Sequence, residues 1–127
     1  MTAFATQTVN NTAAIPLTTN NLINGTAITH VPGSTDIMLA PNQTYFATYE
    51  LQAFIPSGGV ADVQLQLNGI LVGGTDSRAI GTPGDATVLT SSAVINTGAG
   101  PSILTLNNLS GQPLTLEGVN VNIIKLA

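Results

Sequence analysis

Apolar and polar residues alternate in short runs along most of this 127-residue chain. No window of helical length repeats apolar residues at i, i+3, i+4 and i+7, and the usual solvent-facing helix formers Lys, Glu and Arg are nearly missing. Thr, Val, Ile and Leu instead alternate with polar residues, a pattern that fits the two faces of a strand. Candidate strands run over residues 3–8, a short 14–17, 26–30, 35–40, 45–55, 62–68, 70–72, 87–96, 102–107 and 114–126. Between them stand Pro32-Gly33-Ser34, Pro41-Asn42-Gln43, Pro56-Ser57-Gly58-Gly59, Gly81-Thr82-Pro83-Gly84, Gly98-Ala99-Gly100-Pro101 and Ser110-Gly111-Gln112-Pro113. These are turn-forming by mechanism, since Gly supplies positive φ and Pro fixes φ near about −65°. About ten short strands broken at such intervals predict an all-β sandwich rather than βαβ units, with a jelly roll of antiparallel strands fitting best. The length suits a single domain over residues 1–127.

Two segments sharpen the picture. In Val63-Gln64-Leu65-Gln66-Leu67-Asn68-Gly69-Ile70-Leu71-Val72, strict alternation runs into an Asn-Gly pair suited to a type I′ turn, then a return strand. Val63, Leu65 and Leu67 are expected to point inward, and Gln64 and Gln66 outward. Strand 45–55 carries Tyr45, Ala47, Tyr49, Leu51, Ala53 and Ile55 on one face and Phe46, Thr48, Glu50, Gln52 and Phe54 on the other. The first set suits a core. The second holds two phenylalanines that a solvated face does not normally carry, and the segment 119–126 also ends apolar on both faces. Strands apolar on both faces need cover on both faces, which predicts self-association.

Composition changes the picture mainly by exclusion. Only eight residues are charged, two Lys/Arg and six Asp/Glu, or 6% against about 25% in an average domain. Eighteen Thr, twelve Asn and six Gln supply the polarity instead. A net charge of −4 argues against nucleic acid, which demands a basic footprint. Mean hydropathy is high at +0.36, yet no apolar run approaches the ~20 residues of a spanning helix, so no membrane insertion is expected. Without cysteine there are neither disulfides nor thiolate metal sites. Met1-Thr2-Ala3-Phe4-Ala5 lacks the basic and apolar regions of a signal peptide, consistent with an excised domain or a non-secretory route of delivery.

Chemical constellations are sparse. His30 is the single histidine, expected on the surface beside a turn, and one chain therefore holds no histidine-based zinc site. Catalytic triads and paired carboxylates find no support, so no catalytic residue, metal or cofactor is expected. Glu50 sits mid-strand among apolar neighbours, poised to pair with Arg78 or Lys125 across a subunit boundary or to face a wet axial channel. Asp76-Ser77-Arg78 suits a solvated loop, and its few oxygens fall short of the six to eight that calcium takes. Asn10-Asn11-Thr12, Asn24-Gly25-Thr26, Asn42-Gln43-Thr44 and Asn108-Leu109-Ser110 match the N-glycosylation pattern, as chance allows in a chain so rich in Asn and Thr.

The order and spacing of Ala3-Phe4, Ile15-Pro16-Leu17, Gly25-Thr26-Ala27-Ile28, Thr44-Tyr45-Phe46, Leu65-Gln66-Leu67-Asn68-Gly69, Gly73-Gly74-Thr75 and Ile123-Ile124-Lys125-Leu126-Ala127 resemble a known family. It is the globular C-terminal domain of Bacillus collagen-like exosporium glycoproteins, tumour-necrosis-factor-like (complement-type) jelly rolls. The resemblance covers nearly the whole chain, though no Gly-X-Y triplets precede it. It implies a ten-stranded jelly roll forming a homotrimer, its inner sheet facing the threefold axis. It further implies that Phe4, Phe46, Glu50, Gln52, Phe54, Val119, Val121 and Ile123 lie at the subunit interface. The function implied is a non-enzymatic structural and trimerisation module of a spore surface or another extracellular setting. Spore-surface proteins are deposited from the mother-cell cytoplasm and need no secretory signal. The alternative is a receptor- or glycan-binding trimeric head such as a phage fibre tip. Glycan binding favours aromatics free on loops, and all five aromatics fall in expected strands, which disfavours a lectin.

Overall fold

A computed structural model describes residues 1–55 and 58–127; Pro56 and Ser57 of the expected Pro56-Ser57-Gly58-Gly59 turn lie outside the described residues. The described residues form eleven strands and no helix. In chain order these are β1 (Thr2–Ala3), β2 (Gln7–Val9), β3 (Ile28–His30), β4 (Ile37–Leu39), β5 (Thr44–Phe54), β6 (Gly59–Leu67), β7 (Ile70–Leu71), β8 (Ser77–Gly81), β9 (Thr87–Asn96), β10 (Ser102–Asn108) and β11 (Leu114–Lys125). All pairings are antiparallel.

They make two sheets. One runs β1-β11-β5-β9, with β2 also on β11; the other runs β3-β4-β10-β6-β7, with β8 also on β6. The chain crosses between the sheets after β2, β4, β5, β8, β9 and β10, as in a jelly-roll sandwich. The alternation read on strand 45–55 sets the core: Tyr45, Ala47, Tyr49, Leu51, Ala53 and Ile55 are all buried. They face Ile37, Leu39, Val63, Leu65, Leu104 and Leu106 of the other sheet. Two tyrosines carry polar tips into this core, and both are partnered, as buried hydroxyls require. Tyr45 Oη lies 3.1 Å from the Ala40 carbonyl and 3.2 Å from that of Ala27. Tyr49 Oη donates to Thr75 O at 2.5 Å, with Val63 O at 3.3 Å.

The Asn68-Gly69 hairpin forms as expected, with Gln66 opposite Leu71 and Leu67 opposite Ile70. Both turn residues have positive φ, +52° and +81°, the signature of a type I′ turn. Elsewhere the structure departs from the expected strands. Residues 3–8 are not continuous: Phe4 to Thr6 form a connection between β1 and β2, so Phe4 is off-strand. Residues 14–17 supply only an isolated bridge, Ala14 with Asn107, although Ile15 and Leu17 are buried. Ser77 and Arg78, expected in a solvated loop, begin β8, where Arg78 lies opposite Asp62.

The consequential departure is in β11. Its register against β5 slips between Glu117 and Asn120, which face Gln52 and Glu50 respectively. Three residues on β11 thus oppose a step of two on β5. This is a β-bulge, with Gly118 at φ +60°. The extra residue reverses the facing of everything beyond it. Leu114 and Leu116 are buried before the bulge, Val119 and Val121 after it. A Cβ at Gly118 meets nothing within 4 Å, so a substitution there costs only the left-handed backbone. Gly118→Val should therefore destabilise by about 1–2 kcal/mol, less than the about 2–5 kcal/mol for truncating fully buried Leu104 to Ala. Urea denaturation of both variants checks the order, and an unshifted Gly118→Val midpoint would show that the bulge does not depend on glycine.

Candidate functional site

The outer face of the five-stranded sheet carries Phe46, Glu50, Gln52 and Phe54 of the residues that the sequence singled out. Its strands lie side by side as β9, β5 and β11, and the register stacks their outward side chains into rows. Val94, Phe46 and Ile124 form one row, since Phe46 pairs with both neighbours. They are 61%, 36% and 60% exposed, an apolar strip across three strands. The next rows are Ser92-Thr48-Asn122 and Thr90-Glu50-Asn120, the second extended by Thr2 on β1. Then come Val88-Gln52-Glu117, and Phe54-Thr115 with Thr8. The face thus runs from an apolar strip through a band of amides and hydroxyls that holds Glu50 to a mixed end where Val88 and Phe54 stand with Gln52 and Glu117.

Of the sequence-derived interface residues, Phe46, Glu50, Gln52 and Phe54 share this face, with Phe54 half-buried. Phe4 stands beside it, 87% exposed on the β1–β2 connection. Val119 and Val121 do not belong to it. Both are core residues because the Gly118 bulge turns them inward, and Ile123 follows them, half-buried against the core. Asn120, Asn122 and Ile124 take their places outside. The spacing held the signal: apolar residues at 114 and 116 resume at 119, 121 and 123, a step of three across a glycine.

Three smaller features surround this face. A pocket of about 340 Å³ is lined by Phe4, Ala5, Thr6, Gln52, Glu117 and Gly118. Thr6 Oγ1 donates to Glu117 Oε2 at 3.0 Å there. An exposed aromatic, Phe4, therefore stands off-strand beside an amide and a carboxylate, and the placement of all five aromatics in strands no longer counts against a lectin. A larger cleft of about 680 Å³ opens between residues 22–28 and residues 121–125 of β11, with Met1 at its end. The Met1 amine donates to Val121 O at 2.9 Å, and burial lowers it from its ordinary value.

On the opposite sheet, Asp62 is buried, and both Nε and Nη2 of Arg78 donate to its Oδ2, at 3.2 and 2.9 Å. Arg78 is thereby engaged within its own chain rather than offered to Glu50. Asp62 Oδ1 is buried with no donor among the described residues. The neighbouring Asp76 carboxyl is the group able to supply one. The nearby Asp62 carboxylate, most stabilised by a proton between the pair, raises Asp76 from its ordinary value, with burial and like charge adding to this against the pull of Arg78. Burial, then the charge of Asp76, also pushes the Tyr49 phenol beneath them well above its usual range. His30, expected on the surface, is buried at the end of β3, held by Asn20 and Ser34. Among the described residues no three His, Cys, Asp or Glu side chains gather as a metal site.

No protein-family model matches the chain, and no curated protein matches it. Among solved structures it is similar to a family 35 carbohydrate-binding module from Clostridium thermocellum. Identity is 12% and the TM-score 0.45, over 91% of this chain and 97% of that one. It is also similar to the corresponding module from Cellvibrio japonicus Abf62, at 10% identity and TM-score 0.46 over 95% and 94%. A third is the C-terminal domain of EclA, a sugar-binding protein, at 10% identity and TM-score 0.44 over 96% and 81%. Likeness at this level carries no argument about what the chain binds. The fold itself, an all-β sandwich of two antiparallel sheets, rests on the strand pairing above.

The Asp62–Asp76 pair generates a prediction. A carboxyl raised in the folded state favours its protonated form, so its contribution is present at acid pH and lost as pH rises through the folded value. Asp76→Asn keeps a donor at every pH. It should melt at higher temperature than the wild type at about pH 7, with the difference closing as pH falls toward about 4. Thermal unfolding followed by circular dichroism reads it, and a variant less stable than wild type at neutral pH would show that the two carboxyls do not oppose each other.

Proposed function

We propose that the chain is a non-enzymatic structural module that works by self-association. Three copies pack the outer faces of their five-stranded sheets about a common axis, as the resemblance to the exosporium domains implies, and serve on a spore surface or in another extracellular shell. The observation that carries this reading is the Val94-Phe46-Ile124 strip. A solvated sheet face is expected to be polar, and an apolar strip across three strands marks an interaction surface. The band beside it suits the same use. Neutral Thr, Asn and Gln side chains desolvate at far lower cost than ions and find hydrogen-bond partners across an interface.

Light scattering should return a mass near three times the 12.9 kDa chain. Phe46→Glu should abolish that assembly, giving monomer or aggregate, because it sets three carboxylates within the buried strip. Ile80→Glu is the control, since Ile80 is 82% exposed on the other sheet; it should leave the mass unchanged. A wild-type mass near that of one chain, or an intact Phe46→Glu trimer, would overturn the reading.

A second reading has one observation in its favour, the pocket that joins Phe4, Gln52 and Glu117. An aromatic face, an amide and a carboxylate together are what a sugar ring needs for stacking and for hydrogen bonds to vicinal hydroxyls. Glycan-array binding that is lost in Phe4→Ala while the protein stays folded would establish it; an array without signal would remove it.

A further inference from the structure

Two Asn-Gly pairs occur in the chain, Asn24-Gly25 and Asn68-Gly69. Such a pair has a chemistry of its own. The glycine nitrogen can attack the preceding side-chain amide, because no Cβ on the glycine obstructs the approach. Both pairs are exposed, and both glycines have positive φ, +76° and +81°, where an added Cβ would meet nothing within 4 Å. Sequence, exposure and crowding therefore do not separate them. Hydrogen bonding does.

The Asn68 amide is held at both ends. Its Oδ1 accepts from Ile103 N–H at 2.8 Å, and its Nδ2 donates to Ser102 Oγ at 3.4 Å. The Asn68 N–H also donates to Ile103 O at 2.8 Å, so the turn between β6 and β7 is tied to β10. The side chain must leave these partners before its Cγ can meet Gly69 N. Asn24 has no such hold. Among the described residues, residues 22–26 make no hydrogen bond through backbone or side chain. The nearest anchors are Asn21, whose Oδ1 accepts from Thr2 Oγ1 at 2.9 Å, and Ala27, whose carbonyl accepts from Ala40 N–H at 2.8 Å. Between those anchors the chain is free to bring Gly25 N to the Asn24 amide.

We propose that Asn24 is a site of self-modification in the folded chain, converting to aspartate and isoaspartate with water as co-reactant, while its hydrogen bonds protect Asn68. Gly25 N loses its proton to base and attacks Asn24 Cγ. The new C–N bond closes a cyclic imide, and the side-chain nitrogen takes up a proton and leaves as ammonia. Water then opens the ring. Attack at the side-chain carbonyl gives aspartate, and attack at the main-chain carbonyl gives isoaspartate. Water enters, ammonia departs, and nothing is oxidised or reduced. Asn24 lines the 680 Å³ cleft, whose lining holds one charged side chain, Lys125. Conversion sets a carboxylate in the wall facing β11, so a cleft with a lone cation comes to carry both signs. The isoaspartate form also routes the backbone through the side-chain carbon and lengthens that wall by a methylene.

The test holds the intact chain at mildly alkaline pH and physiological temperature and follows both pairs by peptide mapping, with isoaspartyl methyltransferase labelling for the isoaspartate form. Asn24 should convert about tenfold faster than Asn68, since breaking two hydrogen bonds first lowers the reactive population by about that factor. In chain unfolded by guanidinium the two pairs should convert at similar rates, because only the fold separates them. Gly25→Ala places a Cβ beside the attacking nitrogen and should slow conversion at Asn24 about tenfold while Asn68 keeps its rate. An amide that persists at Asn24, folded-state conversion at Asn68 as fast as at Asn24, a selectivity that survives unfolding, or an unslowed Gly25→Ala variant would each overturn the proposal.

Discussion

Everything in this sandwich leans on β5. It is the strand with long ladders on both sides, ten paired positions against β9 and nine against β11, and one face of it supplies much of the core. Its two tyrosines matter as much as its aliphatic residues. Each sends a hydroxyl through the core to backbone carbonyls outside its own sheet, Tyr45 at Ala27 and Ala40 and Tyr49 at Val63 and Thr75. Apolar contacts alone allow two sheets to slide across one another, because burial is not directional. A buried hydroxyl that loses its acceptor is costly, so these contacts fix one relative placement of the sheets. The outer rows of β9, β5 and β11 inherit their alignment from that placement.

Most of the architecture was legible because alternation in this chain is clean. Strand 45–55, the Asn68-Gly69 hairpin and the strand 87–96 follow directly from period-two patterning and turn chemistry. What failed did so for identifiable reasons. Asp76-Ser77-Arg78 looks solvated in sequence, yet it leads into β8, where Arg78 is the cross-strand partner of buried Asp62. Alternation over residues 3–8 predicts one strand, but the chain splits at Phe4, where it steps from one pairing segment on β11 to the next. The face assigned to residues 119–123 was inverted by one bulge. Strand periodicity specifies which residues share a face; it does not count an inserted residue unless the glycine between Glu117 and Val119 is recognised as one. A histidine beside a turn is usually solvated, and the asparagine that holds His30 inside lies ten residues away in sequence.

The candidate face draws its meaning from what surrounds it. On a surface crowded with charges, Val94, Phe46 and Ile124 would be a few stray hydrophobes of the sort that every protein shows. Here they sit in register across three strands, on a face whose remaining rows, Val88 and Phe54 apart, are amides and hydroxyls with only Glu50 and Glu117 as charges. Such a face loses little on desolvation and offers both donors and acceptors. Charge scarcity and the apolar strip are thus one property seen twice.

The pairing of Arg78 with Asp62 bears on how quickly such molecules find each other. One of the two basic side chains of the chain is engaged internally, and Lys125, at the end of β11, is the other. No positive patch remains to complement the dispersed carboxylates of a neighbouring copy. Long-range steering, which lifts association toward about 10⁸–10⁹ M⁻¹s⁻¹ in charge-complementary pairs, has nothing to act on, and encounter falls to the unsteered regime of about 10⁵–10⁶ M⁻¹s⁻¹. Assembly of the proposed kind would be governed by local concentration and by the slowness of separation, and dissolved salt would have little hold on either.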